Sequence, residues 1–401
     1  MTRILATYGT LLKRLLLGAG LVAVLSSCAQ DAYRSERSAA AIPKATLALM
    51  SEKGLDPAAP ILMRSFKKES EIEIWKLGSN GKYNLLKTYP MCRWSGQLGP
   101  KMREGDRQAP EGFYDVTAAA MNPNSSLFLS FNIGYPNAFD RTHGRTGSHL
   151  MVHGACSSQG CFAMTDEAIS EVYAIAREAF ASGQRSFQFQ SYPFRMTAAN
   201  LAKHRGDDHL AFWHNLKEGS DIFEISGQQP MWRVANRRYA FESEPAFADE
   251  IAAKSARDQR EIAAHVKAGV PAIRLVYEDG GGHPSLKKLA LAAAKNPGSS
   301  DVDDRTRRSL GDISRPDALV AEPREIPIEG NLAPSVRGYR GAEILPSKPG
   351  QDEPGISAIN LQKSGRAAAP VPQPIQAAPP LTSQTDENSS FADRFRSSLP
   401  K

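Results

Sequence analysis

Cysteine is scarce in this 401-residue chain: Cys28, Cys92, Cys156 and Cys161 are all there are, and no two stand in the C-x-x-C spacing that a zinc finger uses. Basic runs are missing too. The formal net charge is +6, yet no Lys/Arg run is interleaved with aromatics, which excludes a nucleic-acid footprint. Long apolar runs are missing: the N-terminal Leu15–Leu25 stretch is too short to cross a bilayer comfortably. Aromatics run out early. All four Trp residues precede residue 240, and the last hundred residues hold only Tyr339, Phe391 and Phe395. Large aromatic area dominates core energetics, so the fold is expected in the first two thirds. No internal repeat is present.

What is there begins with Arg3, Lys13 and Arg14 ahead of Leu15–Leu25, the proportions of a secretory signal. The stretch ends in Leu25-Ser26-Ser27-Cys28, similar to a bacterial lipoprotein processing site. Cys28 is therefore expected to carry lipid, against the alternatives of an ordinary cleaved signal or an uncleaved anchor. Removing residues 1–27 takes three positive charges with it, 6 − 3 = +3. Either way the expected compartment is outside the cytoplasm, the periplasm, with a membrane anchor. Lipidation of Cys28 leaves three cysteines in an oxidising compartment, so at least one is free.

Residues 29–59 read as a tether. Glu71–Leu77 and Tyr83–Tyr89, joined by Gly78-Ser79-Asn80-Gly81, read as a β-hairpin. Gly112–Val116, Leu127–Ile133, His149–His153 and Phe187–Phe189 are further strand candidates. Thr165 is placed to cap a helix with Asp166 and Glu167 in its first turn. Thr197–His204 and Asp207–Lys217 read as helices, the second stopped by Gly219. Residues 243–268 read as a charged amphipathic helix, and Ser285–Lys295 as another. After Asn296 come 14 of the 27 prolines, and the segment 296–401 is expected to be a disordered tail. The implied organisation is a signal over 1–28, the tether 29–59, a catalytic domain over 60–190, a packed extension 191–243, a helical segment 244–295, and the tail.

The chemistry-bearing stretch is Ser148-His149-Leu150-Met151-Val152-His153-Gly154-Ala155-Cys156-Ser157-Ser158-Gln159-Gly160-Cys161. A strand delivers His153 into a loop of small residues, and Cys161 follows just ahead of a helix. A thiol near a helix N-terminus and an imidazole is where a thiolate becomes nucleophilic at neutral pH. The backbone N–H groups around Gly154, Ser157, Ser158 and Gly160 are candidates to stabilise an oxyanion.

The run His153-Gly154 … Ser158-x-Gly160-Cys161 resembles the signature of the L,D-transpeptidase (YkuD-type) catalytic domain. Its flanks resemble the YafK-like murein branch: Cys92-Arg93-Trp94-Ser95-Gly96-Gln97-Leu98-Gly99-Pro100-Lys101, Pro110-Glu111-Gly112-Phe113-Tyr114, Asn132-Ile133-Gly134-Tyr135-Pro136, Gly144-Arg145-Thr146-Gly147-Ser148 and Pro193-Phe194-Arg195-Met196-Thr197. The resemblance covers about residues 60–243. It implies a mainly β (α+β) catalytic β-sandwich with packed helices and no cofactor. It also implies Cys161 as nucleophile and His153 as base on peptidoglycan stem peptides, with a wall-attached protein as a further partner. Where many relatives carry Arg two residues after the nucleophile, this chain has Ala163. Arg141 and Arg145 are the candidates to hold the carboxylate instead, against a reading as solvated loop residues. Position 159 is Gln rather than basic, and the His-to-Cys loop is short, which leaves donor specificity open.

Other readings remain at this stage. Water in place of an acceptor amine would make the enzyme a hydrolase, and a degenerate domain would make it a membrane-to-wall tether. His149, His153, Cys156 and Cys161 offer a zinc set. Cys92 and Cys156 either pair or stay as buried thiols. His143 reads as an exposed loop residue, and His204, His209 and His214 as surface.

Overall fold

The computed structural model describes residues 36–287 and 321–328. The expectations for Cys28, for the signal and for most of the tail lie outside these residues. Strand β1 (Ile61–Phe66) sits in a five-stranded sheet with β2 (Glu71–Leu77), β3 (Tyr83–Pro90), β5 (Gly112–Thr117) and β10 (Ser186–Tyr192). The order is β3-β2-β1-β10-β5, with β1 and β10 parallel and the other pairs antiparallel. A second sheet has the order β4 (Arg93–Trp94), β9 (Phe162–Ala163), β8 (Met151–His153), β7 (Ser130–Asn132), β6 (Met121–Asn122).

Alternation explains how the sheets stack. Successive side chains of a strand point to opposite faces, so Phe187 and Phe189 of β10 share one face and meet the second sheet. Phe187 packs edge-on to Phe131 at 5.6 Å, and Phe189 to Phe162 at 5.2 Å. Tyr192 takes the other face beside Phe66 and Phe113. With both faces covered, every residue of β1 is buried, as a central strand requires. The result is an α+β fold in which two five-stranded sheets share one apolar core.

Helices close the outer layers. Thr165 caps α3 (Asp166–Ala181), its hydroxyl accepting from Ala168 N–H. Earlier in the chain come the short α2 (Ala138–Thr142) and α1 (Lys44–Glu52). The expected tether thus contains a packed helix: Met50 is fully buried, and Thr46 bonds Glu171 of α3 at 2.5 Å. The small, unpatterned residues around it hid the few apolar contacts that anchor it.

Thr197 caps α4 (Ala198–Lys203). Next, α5 (Leu210–Ser226) runs straight through Gly219 and stops at Gly227, which adopts the left-handed conformation. Gly219 is there for closeness rather than termination. A Cβ on it would lie 2.5 Å from Phe113 Cζ and 2.6 Å from Phe241. The hairpin β11 (Met231–Ala235) and β12 (Arg238–Glu242) then leads into α6 (Ala248–Lys267). The expected domain boundary at 190/191 falls inside β10. At the far end, β13 (Ile273–Val276) pairs with β14 (Arg324–Pro327), so part of the expected tail is a strand. Residues 277–283 continue along β4, with Trp94 N–H to Gly281 O at 2.9 Å and the reverse bond at 3.1 Å. Among the described residues no helix is long and apolar enough to cross a membrane.

Candidate active site

The second sheet brings His153 and Cys161 together. β8 and β9 are parallel, with Val152 opposite Phe162 and His153 opposite Ala163. Cys161 immediately precedes Phe162, so the two-residue period puts its side chain on the same face as Ala163 and His153. One strand across and two residues along gives a Cα separation of about 8 Å.

His153 is 1% exposed, and its Nδ1 lies 2.5 Å from the Gly154 carbonyl oxygen. A carbonyl only accepts, so Nδ1 carries the proton and Nε2 keeps a lone pair to act as base. Burial pushes the imidazole below its ordinary pKa, opposed by that carbonyl. Burial also pushes the Cys161 thiol up, against the Met151 N–H and the charge of Lys101. The partly exposed thiol bonds the His149 carbonyl at 3.7 Å rather than the imidazole. At neutral pH the resting pair is thus neutral thiol and neutral imidazole. The sequence placed Cys161 at a helix N-terminus, but β9 intervenes, and Thr165 and Asp166 occupy the start of α3.

Ser158 organises the nucleophile. Its buried hydroxyl accepts from Cys161 N–H at 3.1 Å, donates to Cys161 O at 2.8 Å and meets Ser95 Oγ at 3.0 Å. The Ser95 hydroxyl also takes Gly160 N–H at 2.6 Å. Gly160 has φ +118°, a value that glycine tolerates. Gly154 N–H is spent on Leu129 O at 3.1 Å, and a Cβ there would sit 2.6 Å from Asp166. That carboxylate accepts from Ala155 N–H at 2.7 Å and so ties the loop to α3. In this conformation the N–H groups of Gly154 and Gly160 are paired rather than free for an oxyanion.

Cys92 and Cys156 form a disulfide with Cα atoms 5.4 Å apart, which pins the loop between His153 and Cys161 to β4. Cys161 is the free thiol among the described residues. The pairing removes Cys156 from the zinc set, and no described group of three His, Cys, Asp or Glu residues is arranged for a metal.

Each arginine proposed from sequence has a local partner. Arg145 is buried, paired with Asp140 at 2.9 Å and stacked over Phe139 and Phe212. Arg141 is exposed and bonds the Pro136 carbonyl. Arg107 reaches the catalytic loop and donates to the Ser158 carbonyl at 3.1 Å. Asp279 holds it at 2.7 Å and holds the fully buried Arg93 at 3.2 Å. Ser95 and Arg93 sit in a motif quoted above without a role. Asp279 is 172 residues from Arg107, a pairing no local pattern signals.

The histidines also differ from expectation. His204 is fully buried, stacked on Phe194 at 4.8 Å. His209 packs against Gly99, His214 is half-buried, and His143 bonds the Arg237 carbonyl at 2.9 Å.

No protein-family model matches the chain. Over 182 residues it is 43% identical to YafK of Escherichia coli K12, provisionally named an L,D-transpeptidase, covering 45% of this chain and 73% of that one. The O157:H7 protein matches equally. The chain belongs to the YafK-like L,D-transpeptidase family. Among solved structures, the helical cell shape determining protein Pgp2 of Campylobacter jejuni overlaps at 17% identity and TM-score 0.28, covering 57% of this chain and 80% of Pgp2. Bd1075 of Bdellovibrio bacteriovorus overlaps at 12% and 0.25, covering 46% and 78%. At those scores neither carries an argument about this chain.

Proposed function

We propose that this protein is an exported cysteine L,D-transpeptidase of peptidoglycan, with Cys161 as nucleophile and His153 as base. The observation that carries the reading is the register of the parallel strands β8 and β9, with His153 opposite Ala163 and the free thiol Cys161 immediately before β9. The tautomer fixed by the Gly154 carbonyl supports it. Substrate binding displaces water and brings Sγ to Nε2, which takes the thiol proton as sulfur attacks the carbonyl at the L-centre of a diamino-acid residue. The tetrahedral intermediate collapses with that proton moving from the imidazolium to the departing D-amino acid amine. A thioester on Cys161 remains. An acceptor amine attacks it, passes its proton to Nε2, and regenerates the thiol.

With water as acceptor the same steps make a hydrolase that cuts cross-links or detaches wall-linked protein. Export through the 1–28 segment, lipid on Cys28 and a periplasmic, membrane-anchored location belong to this reading. The test is mass spectrometry of muropeptides after incubation with wild-type and Cys161→Ala protein. Cross-linked dimers or exchange of the terminal D-amino acid, lost in the variant, mark a transpeptidase. Shortened or released peptides without new cross-links mark a hydrolase. No Cys161-dependent change favours a non-catalytic membrane-to-wall tether.

A further inference from the structure

Ser130 of β7 stands directly opposite His153 of β8 in the antiparallel register, and its hydroxyl is buried without a hydrogen-bond partner. Directly opposed residues project their side chains on one face, with Cβ atoms about 4.5–5.5 Å apart. The neighbours show which face this is. Phe131, Val152 and Phe162 are in register across β7, β8 and β9. Phe131 and Phe162 pack against Phe187 and Phe189 of the first sheet, so theirs is the core side. Ser130, His153 and Ala163, each one residue along, share the outer face of the second sheet.

Both groups are closed off there: Ser130 is fully buried and His153 is 1% exposed. Buried hydroxyls in native proteins are almost always paired, and this one is out of reach of solvent, so its partner has to come from the protein. The strand position is held, because Gly154 N–H bonds the carbonyl of Leu129, the residue before Ser130, at 3.1 Å. His153 Nδ1 already faces the Gly154 carbonyl at 2.5 Å, a neutral acceptor. Asp166 of α3 is the carboxylate beside this turn, and it is committed to Ala155 N–H at 2.7 Å. Cys161 brings a thiol that is neutral at rest. Protonation of the ring thus creates a charge whose hydrogen bond goes to no carboxylate. A serine hydroxyl can turn a lone pair towards it by rotating about χ1 alone.

We infer that Ser130 is a positioning residue for His153: its Oγ accepts a hydrogen bond from the protonated ring, sharing Nδ1–H with the Gly154 carbonyl. The proton balance is that of the proposed reaction. Nε2 takes the thiol proton and returns it to the departing amine, Nδ1–H stays on the ring throughout, and Ser130 gives up no proton. Two acceptors on Nδ1–H stabilise the charged ring and keep Nε2 aimed at the reacting atoms. The inference rests on the reading of Cys161 and His153 as the reacting pair.

The experiment compares wild type, Ser130→Ala and Cys161→Ala in turnover of a disaccharide-tetrapeptide, in the ¹⁵N NMR titration of His153, and in thermal unfolding. Ser130→Ala is expected to melt no lower than wild type, since it removes an unpaired buried hydroxyl. Its kcat should fall about tenfold or more, the worth of a hydrogen bond to a charged group, with KM unchanged. The His153 titration should move to lower pH, because the charged form loses an acceptor. Unchanged kcat with Cys161-dependent turnover intact, or an unshifted titration, would overturn the inference. So would a Ser130→Ala protein that melts clearly lower or fails to fold, since the hydroxyl would then be a structural bond. Turnover retained in Cys161→Ala would strike the catalytic reading instead, and the His153 titration, which needs no turnover, would decide the role of Ser130.

Discussion

Replacing Asp279 with Ala should loosen the catalytic loop from a distance. Its carboxylate holds fully buried Arg93 at 3.2 Å and Arg107 at 2.7 Å. Removing one partner of a buried ion pair costs about 3–5 kcal/mol, because the charge left behind loses its neutralising carboxylate. Arg107 is about one third exposed and recovers part of its loss from water. The lower end, about 3 kcal/mol, is therefore expected. At about 2–4 °C per kcal/mol for a domain of this size, the melting temperature should fall by roughly 6–12 °C. Activity should fall further than stability explains, since Arg107 also bonds the Ser158 carbonyl and Ser158 holds both backbone groups of Cys161. The assays are thermal unfolding and kcat on muropeptides well below the melting point. A shift under 2 °C with unaltered kcat would refute the chain of contacts from Asp279 to the nucleophile.

The activity profile should place its acidic limb below the ordinary imidazole range, because His153 must be neutral to act as base and burial already lowers its pKa. Iodoacetamide labelling of Cys161 should rise only at pH values above those of an ordinary thiol; fast labelling at pH 6 would contradict the resting state described. His153 and His204 both have folded pKa values below their unfolded ones, so the unfolded chain binds protons first. Stability should be full above about pH 6.5 and fall towards pH 4, as acid titration of the unfolding midpoint would show. Opening the Cys92–Cys156 bond, which spans 64 positions, should cost about 4 kcal/mol by loop-closure entropy, read as a lower denaturant midpoint after reduction. Gly219→Ala should destabilise by more than 1 kcal/mol despite better helix propensity, because its methyl meets Phe113 and Phe241; a stabilised variant would contradict that packing.

Local signals carried the fold furthest where they were dense. The strand Glu71–Leu77, the turn after it and the Thr165 cap each appear in the structure where the sequence pointed. The loop joining His153 to Cys161 is also where motif reading put it. What local pattern missed was set by tertiary packing. Gly219 looks like a helix stop until Phe113 is seen against it, and His204 reads as surface until Phe194 and Trp213 enclose it. Arg145 looks like a free cation until Asp140 is found beside it, five residues back but buried with it. Arg107 and Asp279 pair across more than half of the described chain, beyond any spacing rule.

The most direct measurement is the intact mass of the protein after brief mixing with a disaccharide-tetrapeptide, followed by peptide mapping of any adduct. The account predicts an acyl adduct on Cys161 that is sensitive to hydroxylamine, absent from Cys161→Ala and slow to form in His153→Ala. Product formed without that adduct, or an adduct mapped to another residue, would contradict it.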